Sequence, residues 1–274
     1  MRSAVVLAAG RGTRMQEPVR ADIEITPVQE EYAAAGLKGL IPFAGHPFLS
    51  YTLSALGIAG YEKVCLIVRP GDDPIRSYYE ELSTAGLTIS FAVQEEPLGT
   101  ADALLAAEAQ VREWLRGGEH FLVLNGDNYY PAPLLERLRR GGGAGLAGFS
   151  VEGLSKGNIS RERIRAFALL LTDQRGRLTE IIEKPDEATY RALIDRALIS
   201  MTCWRFGSEI FEAARAISPS PRGEYEIPDA VRYAIEELGT EFEVIPTTEP
   251  VLDLSTRADI PMVAKYLHHA RIEL

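Results

Sequence analysis

A chain of 274 residues with 46% hydrophobic and 25% charged residues carries enough apolar material for a sizeable core and too little polarity for a long disordered tail. Its formal charge of -10, from 29 basic against 39 acidic residues, argues against a nucleic-acid partner, because a polyanion meets a repulsive surface and any phosphate must be held by a local cation cluster. The apolar run at residues 4–9 is too short for a signal segment, no stretch approaches the ~20 apolar residues of a membrane span, and Cys65 and Cys203 sit in apolar runs suited to reduced thiols, so a cytoplasmic protein without a membrane partner is expected.

In chain order, short aliphatic runs bounded by turn residues predict strands at residues 4–8, 63–68, 87–93, 121–124 and 146–151. Helices fall between them. Residues 47–56 put Leu49, Leu53 and Leu56 on one stripe, and residues 100–115 repeat apolar positions at Leu104, Ala107, Val111 and Trp114. This alternation is that of an α/β layered fold around a largely parallel sheet. After Gly153 the pattern predicts a hairpin of residues 165–172 and 178–182, a long strand at 198–206, and helices at 208–217, 227–238 and 256–269, with Pro228 in a first turn. The run Gly141-Gly142-Gly143 reads as a flexible turn rather than a linker. One domain over residues 1–274 is expected.

The segment carrying the most chemistry is Ala9-Gly10-Arg11-Gly12-Thr13-Arg14-Met15, directly after the first strand. Glycines there free backbone N–H groups to face phosphate oxygens, and the two guanidinium groups add charge where a polyphosphate would lie. The loop lacks the Gly-Lys-Ser/Thr ending of a Walker loop, and Met15 stands where a dinucleotide fingerprint needs its third glycine. For the glycines alone, a tight turn is the plain alternative. Asp127, in Asn125-Gly126-Asp127-Asn128, follows a strand at the edge where α/β sheets bind ligands; a simple turn aspartate is its alternative. The four histidines do not cluster, and no Ser-His-Asp spacing is visible.

The loop ending in Gly12-Thr13-Arg14, with Lys38 before Leu40-Ile41-Pro42, resembles the sugar-1-phosphate nucleotidylyltransferase family, and later motifs of that family recur in order along nearly the whole chain. The resemblance is nearest the glucose-1-phosphate thymidylyltransferase and uridylyltransferase branch. It implies a Rossmann-like three-layer αβα fold with a mixed, mainly parallel sheet, a nucleotide-binding half at residues 1–152 and a sugar-phosphate-binding half at 153–274. It also implies transfer of a nucleoside monophosphate from an NTP, dTTP or UTP favoured, to a sugar 1-phosphate, with cytidylyl, guanylyl and silent regulatory relatives left open. Family members often form dimers or tetramers, so the resemblance leaves a homo-oligomer open, while the residues themselves do not set the oligomeric state.

Residue by residue, the resemblance assigns Ala9, Gly10, Arg11, Gly12 and Thr13 to the nucleotide, with Arg14 on the leaving pyrophosphate and Lys38 on the α-phosphate. Gln94, Gly99 and Thr100 fall in the segment that reads the base: an amide can pair with a pyrimidine edge, and a glycine lets backbone approach a flat ring. Asp127 and Asp253 become ligands of Mg2+, although Ser255 replaces the usual glycine after the second. Lys184 meets the sugar phosphate, while Glu183 and Glu224 face sugar hydroxyls; an exposed Glu-Lys pair and acids at a helix N-terminus are the plain alternatives. The segment 15–37 is longer and more acidic than the family's, carrying Glu17, Asp22, Glu24, Glu30 and Glu31. It is expected to form either a lid over the triphosphate or an extra surface helix near residues 28–35. A dinucleotide oxidoreductase and a glycosyltransferase are the readings from other classes; the first lacks its third glycine and the second its Asp-x-Asp.

Overall fold

The computed structural model describes the chain except residues 18–22, 83, 85, 116 and 269. Asp22 and His269 thus lie outside the described residues. One nine-stranded sheet is built from β1 (Ser3–Leu7), β2 (Lys63–Val68), β3 (Thr88–Val93), β4 (Phe121–Asn125), β5 (Ala144–Phe149), β6 (Leu169–Thr172), β7 (Leu178–Ile182), β8 (Leu198–Phe206) and β9 (Phe242–Thr247). Its path runs β7-β6-β8-β4-β1-β2-β3, with β5 paired to β8 and β9 to β5. Pairing is parallel from β4 through β1 and β2 to β3 and between β5 and β9. It is antiparallel wherever β8 meets β4, β5 or β6, and between β6 and β7.

The central strands are apolar except at their ends, at Ser3, Lys63 and Asn125, because both faces are covered. Ala4, Val6, Val64, Leu66, Leu122 and Leu124 pack on one core with Leu49, Leu53 and Leu56 of helix Phe48–Ile58. Their neighbours Val5, Cys65, Ile67 and Val123 pack on the other with Leu104 and Val111. Strand alternation thus divides the sequence between two helical layers, giving the expected αβα sandwich.

Three predicted elements change. The helix expected at 100–115 is two, Thr100–Ala106 and Glu108–Trp114, because the Ala107 N–H bonds Leu104 O at 3.1 Å and tightens that turn to 3-10 geometry. The helix expected at 256–269 begins as a 3-10 turn, Arg257–Asp259, and continues as Ile260–Leu267; Pro261 has no N–H to extend an earlier α-helical ladder, so it sits in a first turn. Residues 165–168 do not join the hairpin, since Arg165 ends helix Arg161–Ile164 and the strand starts at Leu169.

β8 changes neighbours along its length. Leu198 and Ile199 pair with β6, residues 203–206 pair with β4, and the register against β5 shifts between Ser200 and Trp204. Thr202 occupies that shift at φ 51. The buried Tyr130 hydroxyl donates to Met201 O and lies 3.2 Å from Thr202 O, so carbonyls near the irregularity keep a partner.

Within segment 15–37 the described residues include a helix, Pro27–Ala34, close to the one expected near residues 28–35. Thr26 and Gln29 close a capping box, Gln29 Nε2 donates to Pro42 O at 2.9 Å, and Arg257 holds Glu30 at 2.6 Å and Met15 O at 2.8 Å. A third apolar cluster, with Met15, Ala33 and Phe43 against Leu254 and Val263, joins this helix to the C-terminal helix.

Candidate active site

The parallel strands finish at one edge. There the Ala8 N–H bonds Ile67 O, the Gly126 N–H bonds Leu7 O and the Gln94 N–H bonds Val68 O, at 2.9–3.0 Å, so the loops after β1, β2, β3 and β4 open together. A cavity of about 550 Å³ lies over them. It brings together Ala9, Gly10, Arg11, Gly12, Thr13, Lys38, Gln94, Gly99, Thr100, Asp127 and Glu224 from the sequence assignment. Arg14 is exposed on the short helix Thr13–Gln16 outside the lining, and Asp253, Glu183 and Lys184 also stand outside it.

The first loop is shaped by close backbone passage. Gly12 (φ 62) and Gly36 (φ 70) face each other: a Cβ on Gly12 would lie 2.5 Å from Gly36 O, and one on Gly36 2.5 Å from Arg11 O. A Cβ on Gly10 would meet nothing within 4 Å. Gly12 therefore makes a close backbone contact that a side chain would block, while Gly10 leaves open space beside the loop.

The cavity wall opposite comes from the second half of the chain. Tyr225 N donates to Leu98 O at 2.7 Å, Ala101 N to Tyr225 O at 2.9 Å and Ile227 N to Thr100 Oγ1 at 3.0 Å. A Cβ on Gly99 (φ 116) would lie 2.3 Å from Tyr225 O. What approaches Gly99 closely is thus the Tyr225 backbone. This zipper sets Arg222, Glu224 and Glu226 over the cavity; Arg222 bonds Glu226 at 2.6 Å and lies 3.6 Å from Glu224. Glu183 belongs to the same wall electrostatically: burial, and after it the Glu226 charge, raises its carboxyl above the usual range. Lys184, next to it, is held at φ 44, a conformation non-glycine residues rarely adopt and one that concentrates at functional positions.

Lys38 Nζ donates to Asp127 Oδ2 at 2.9 Å, with the lysine largely buried. Asp253 lies beside them because Leu252 and Asp253 pair antiparallel with Asn128 and Tyr129, and the Leu254 N–H bonds Asp127 O. Its Oδ2 accepts from Arg163 at 2.6 Å and its Oδ1 from Ser255 at 2.8 Å. Burial, then the nearby Asp127 charge, pushes the Asp253 carboxyl up to about 6. Asp127 faces the cavity, whereas Asp253 stands behind it with both carboxylate oxygens engaged, and no group of three or more His, Cys, Asp or Glu side chains is gathered as a metal site among the described residues. Ser255 has a use of its own here, as the hydroxyl that orients Asp253.

Sequence reasoning missed Arg69, Gly36, Arg222 and Glu226, all of which line the cavity. Arg69 precedes Pro70-Gly71 directly after a predicted strand, and Gly36 follows a helical Ala33-Ala34-Ala35 run as a C-terminal cap would. Those were the available signals. Arg222 and Glu226 flank Glu224, but nothing local says that their segment lies against residues 98–101, beyond β3.

Within a molecule of net charge -10, the lining carries Arg11, Lys38, Arg69 and Arg222 against Asp127, Glu224 and Glu226. An α/β sheet whose strand edge holds a glycine loop, a lysine–aspartate pair and a local excess of cations offers donors and charge suited to phosphate groups. The chain belongs to the nucleotidyl transferase family, whose model matches residues 3–249, and it is a nucleotidyltransferase. It is 31% identical over 229 residues to the UTP--glucose-1-phosphate uridylyltransferase AglF of Haloferax volcanii, covering 83% of this chain and 81% of that one. It is 30% identical over 236 residues to a glucose-1-phosphate thymidylyltransferase of Streptomyces griseus, covering 85% of this chain and 57% of that one, so it spans little more than half of that longer relative. The crystal structure of a UDP-glucose pyrophosphorylase complexed with UDP-glucose shares the fold, with a TM-score of 0.70 at 16% identity over 99% of this chain and 100% of that one. Membership sets aside the oxidoreductase and glycosyltransferase readings.

Proposed function

We propose that the protein transfers a nucleoside monophosphate from UTP or dTTP to a sugar 1-phosphate, releasing pyrophosphate. The observation that carries this reading is the continuity of one cavity from Gln94 past the glycine loop to the Lys38–Asp127 pair, under a wall bearing Arg222 and Glu224. A base can lie at the Gln94 end, with the α-phosphate placed between a pyrophosphate leaving along the glycine loop and a sugar phosphate under the Arg222 and Glu224 wall. Glucose 1-phosphate is the first acceptor to try, because both named relatives act on it.

The acceptor phosphate already carries an anionic oxygen, so attack on the α-phosphorus needs in-line positioning and charge neutralisation rather than a general base. In this reading Lys38 holds the α-phosphate, the amides of residues 10–13 with Arg11 and Arg14 hold the leaving pyrophosphate, and Lys184 with Arg222 receives the sugar phosphate. Glu183 and Glu224 accept sugar hydroxyls. Asp127 and Asp253 would hold Mg2+, which supplies further neutralisation of phosphate charge. We read residues 1–152 as the nucleotide half and 153–274 as the sugar-phosphate half of one domain.

Gln94 supports a 4-keto pyrimidine. Its Nε2 donates to Gly99 O at 3.0 Å and to Asp102 Oδ2 at 2.8 Å, which uses both hydrogens and leaves Oε1 as an acceptor for a ring N–H. Uracil and thymine offer that donor at N3, and cytosine offers a lone pair instead. Pyrophosphate release measured with Mg2+, glucose 1-phosphate and each common triphosphate tests the reading. Release with UTP or dTTP is expected, with Asp127→Asn slower by about 100-fold or more; silence with every triphosphate across a panel of sugar phosphates would overturn it.

A further inference from the structure

Arg69 has no part in the reading above. It stands one residue beyond β2, and Gln94 one residue beyond β3; the strands pair Val68 with Val93, and the Gln94 N–H continues the ladder to Val68 O. Ile67 and Ala92 face the same core as Val5, so by alternation Arg69 and Gln94 face that side too, in line with Ala9 beyond β1. Ala9, Arg69 and Gln94 therefore form a row across three strand ends, spaced about 4.8 Å apart. The small side chain of Ala9 leaves the row open, and all three residues line the main cavity and an adjoining recess of about 250 Å³.

The guanidinium is mounted rather than loose. Asp73, with its side chain fully buried, accepts from Arg69 N at 3.1 Å and Nε at 3.3 Å while capping helix Pro74–Glu80. This fixes the stem of the fork and leaves both Nη nitrogens without a partner among the described residues. Gln94, next in the row, has an Oε1 that likewise makes no hydrogen bond among the described residues. A fixed cationic donor next to a fixed acceptor complements a carbonyl oxygen next to a ring N–H, the edge shared by uracil, thymine and guanine. Cytosine presents the opposite order, an amino group and an unprotonated nitrogen. It would set donor against cation and lone pair against oxygen.

We propose that Arg69 is a base-reading residue that, paired with Gln94, selects keto over amino bases in the nucleotide. The inference rests on the proposed nucleotidyl transfer for the nucleotide's place in the cavity. Its test is calorimetric titration of wild type, Arg69→Gln and Arg69→Ala with UTP, CTP, GTP and pyrophosphate alone. UTP and CTP share the triphosphate, so their affinity ratio isolates the base. Wild type is expected to hold UTP about tenfold or more tighter than CTP, and both variants to lose most of that ratio on the UTP side while pyrophosphate affinity is kept. GTP falling with UTP in the variants supports the same keto-edge contact. An unchanged ratio in the two folded variants, or weakened pyrophosphate binding with an unchanged ratio, overturns the proposal and in the second case puts Arg69 on the polyphosphate. Wild type that releases pyrophosphate in the transfer assay yet prefers CTP sinks base reading alone. Wild type that binds no triphosphate sinks the transfer reading, and this one with it.

Discussion

Two glycines of the site carry opposite duties, and substitution separates them. Gly99 is required by contact: at φ 116, with Tyr225 backbone 2.3 Å from any Cβ, alanine must push two hydrogen-bonded segments apart. Gly99→Ala is expected to cost about 2–4 kcal/mol in urea unfolding and to raise the triphosphate KM as well. Gly10, whose Cβ would meet nothing within 4 Å, is required only if the space beside it holds phosphate. Gly10→Ala should leave the urea midpoint unchanged and raise the triphosphate KM. An unaltered KM would remove phosphate from that space. From the sequence both read as glycines of a binding motif; only the contact distances tell a packing glycine from a clearance glycine.

At the scale of elements, Arg205 of β8 organises the turn leaving helix Ala132–Arg140. It is fully buried and donates to the carbonyls of Leu138 at 3.0 Å, Gly142 at 2.9 Å and Gly143 at 2.6 Å, and to Glu243 at 3.0 Å. The glycine run expected to be a flexible turn is thus wrapped around a guanidinium, and a Cβ at Gly141 would lie 1.7 Å from Arg205 Nη1. Arg205→Leu keeps the volume apolar but strands three carbonyls. A loss of about 3–5 kcal/mol follows, lowering Tm by roughly 6–20 °C. Differential scanning calorimetry checks this; a shift under about 2 °C would mean that water replaces the guanidinium. No local pattern could reveal the pairing, because Arg205 stands 62 residues beyond Gly143.

For the whole molecule, the sheet joins the two halves of the chain. β8 supplies the neighbour of both β4 and β5, and β9 covers the other edge of β5, so residues 1–152 alone would expose strand edges and half of the second core. A single unfolding transition is expected, followed equally by Trp114 on one side and Trp204 on the other in variants carrying only one of them, while a 1–152 fragment stays unfolded. Separate midpoints for the two tryptophans, or a fragment with native circular dichroism, would show two folding units.

The sequence by itself determined the layered α/β class, most strand positions and the chain order of the site motifs, because those rest on local causes: apolar runs, turn residues and short glycine or charged patterns. It located β2 and β8 to the residue, and the helix in segment 15–37 almost so. What only the tertiary structure decided depends on residues far apart meeting. The zipper of Tyr225 on Leu98, the Asp253–Asp127 approach, the Arg205 turn and the row of Ala9, Arg69 and Gln94 arise from strand order and crossover packing. Register across a sheet is set by many weak contacts at once, so no single segment encodes which side chains share a cavity.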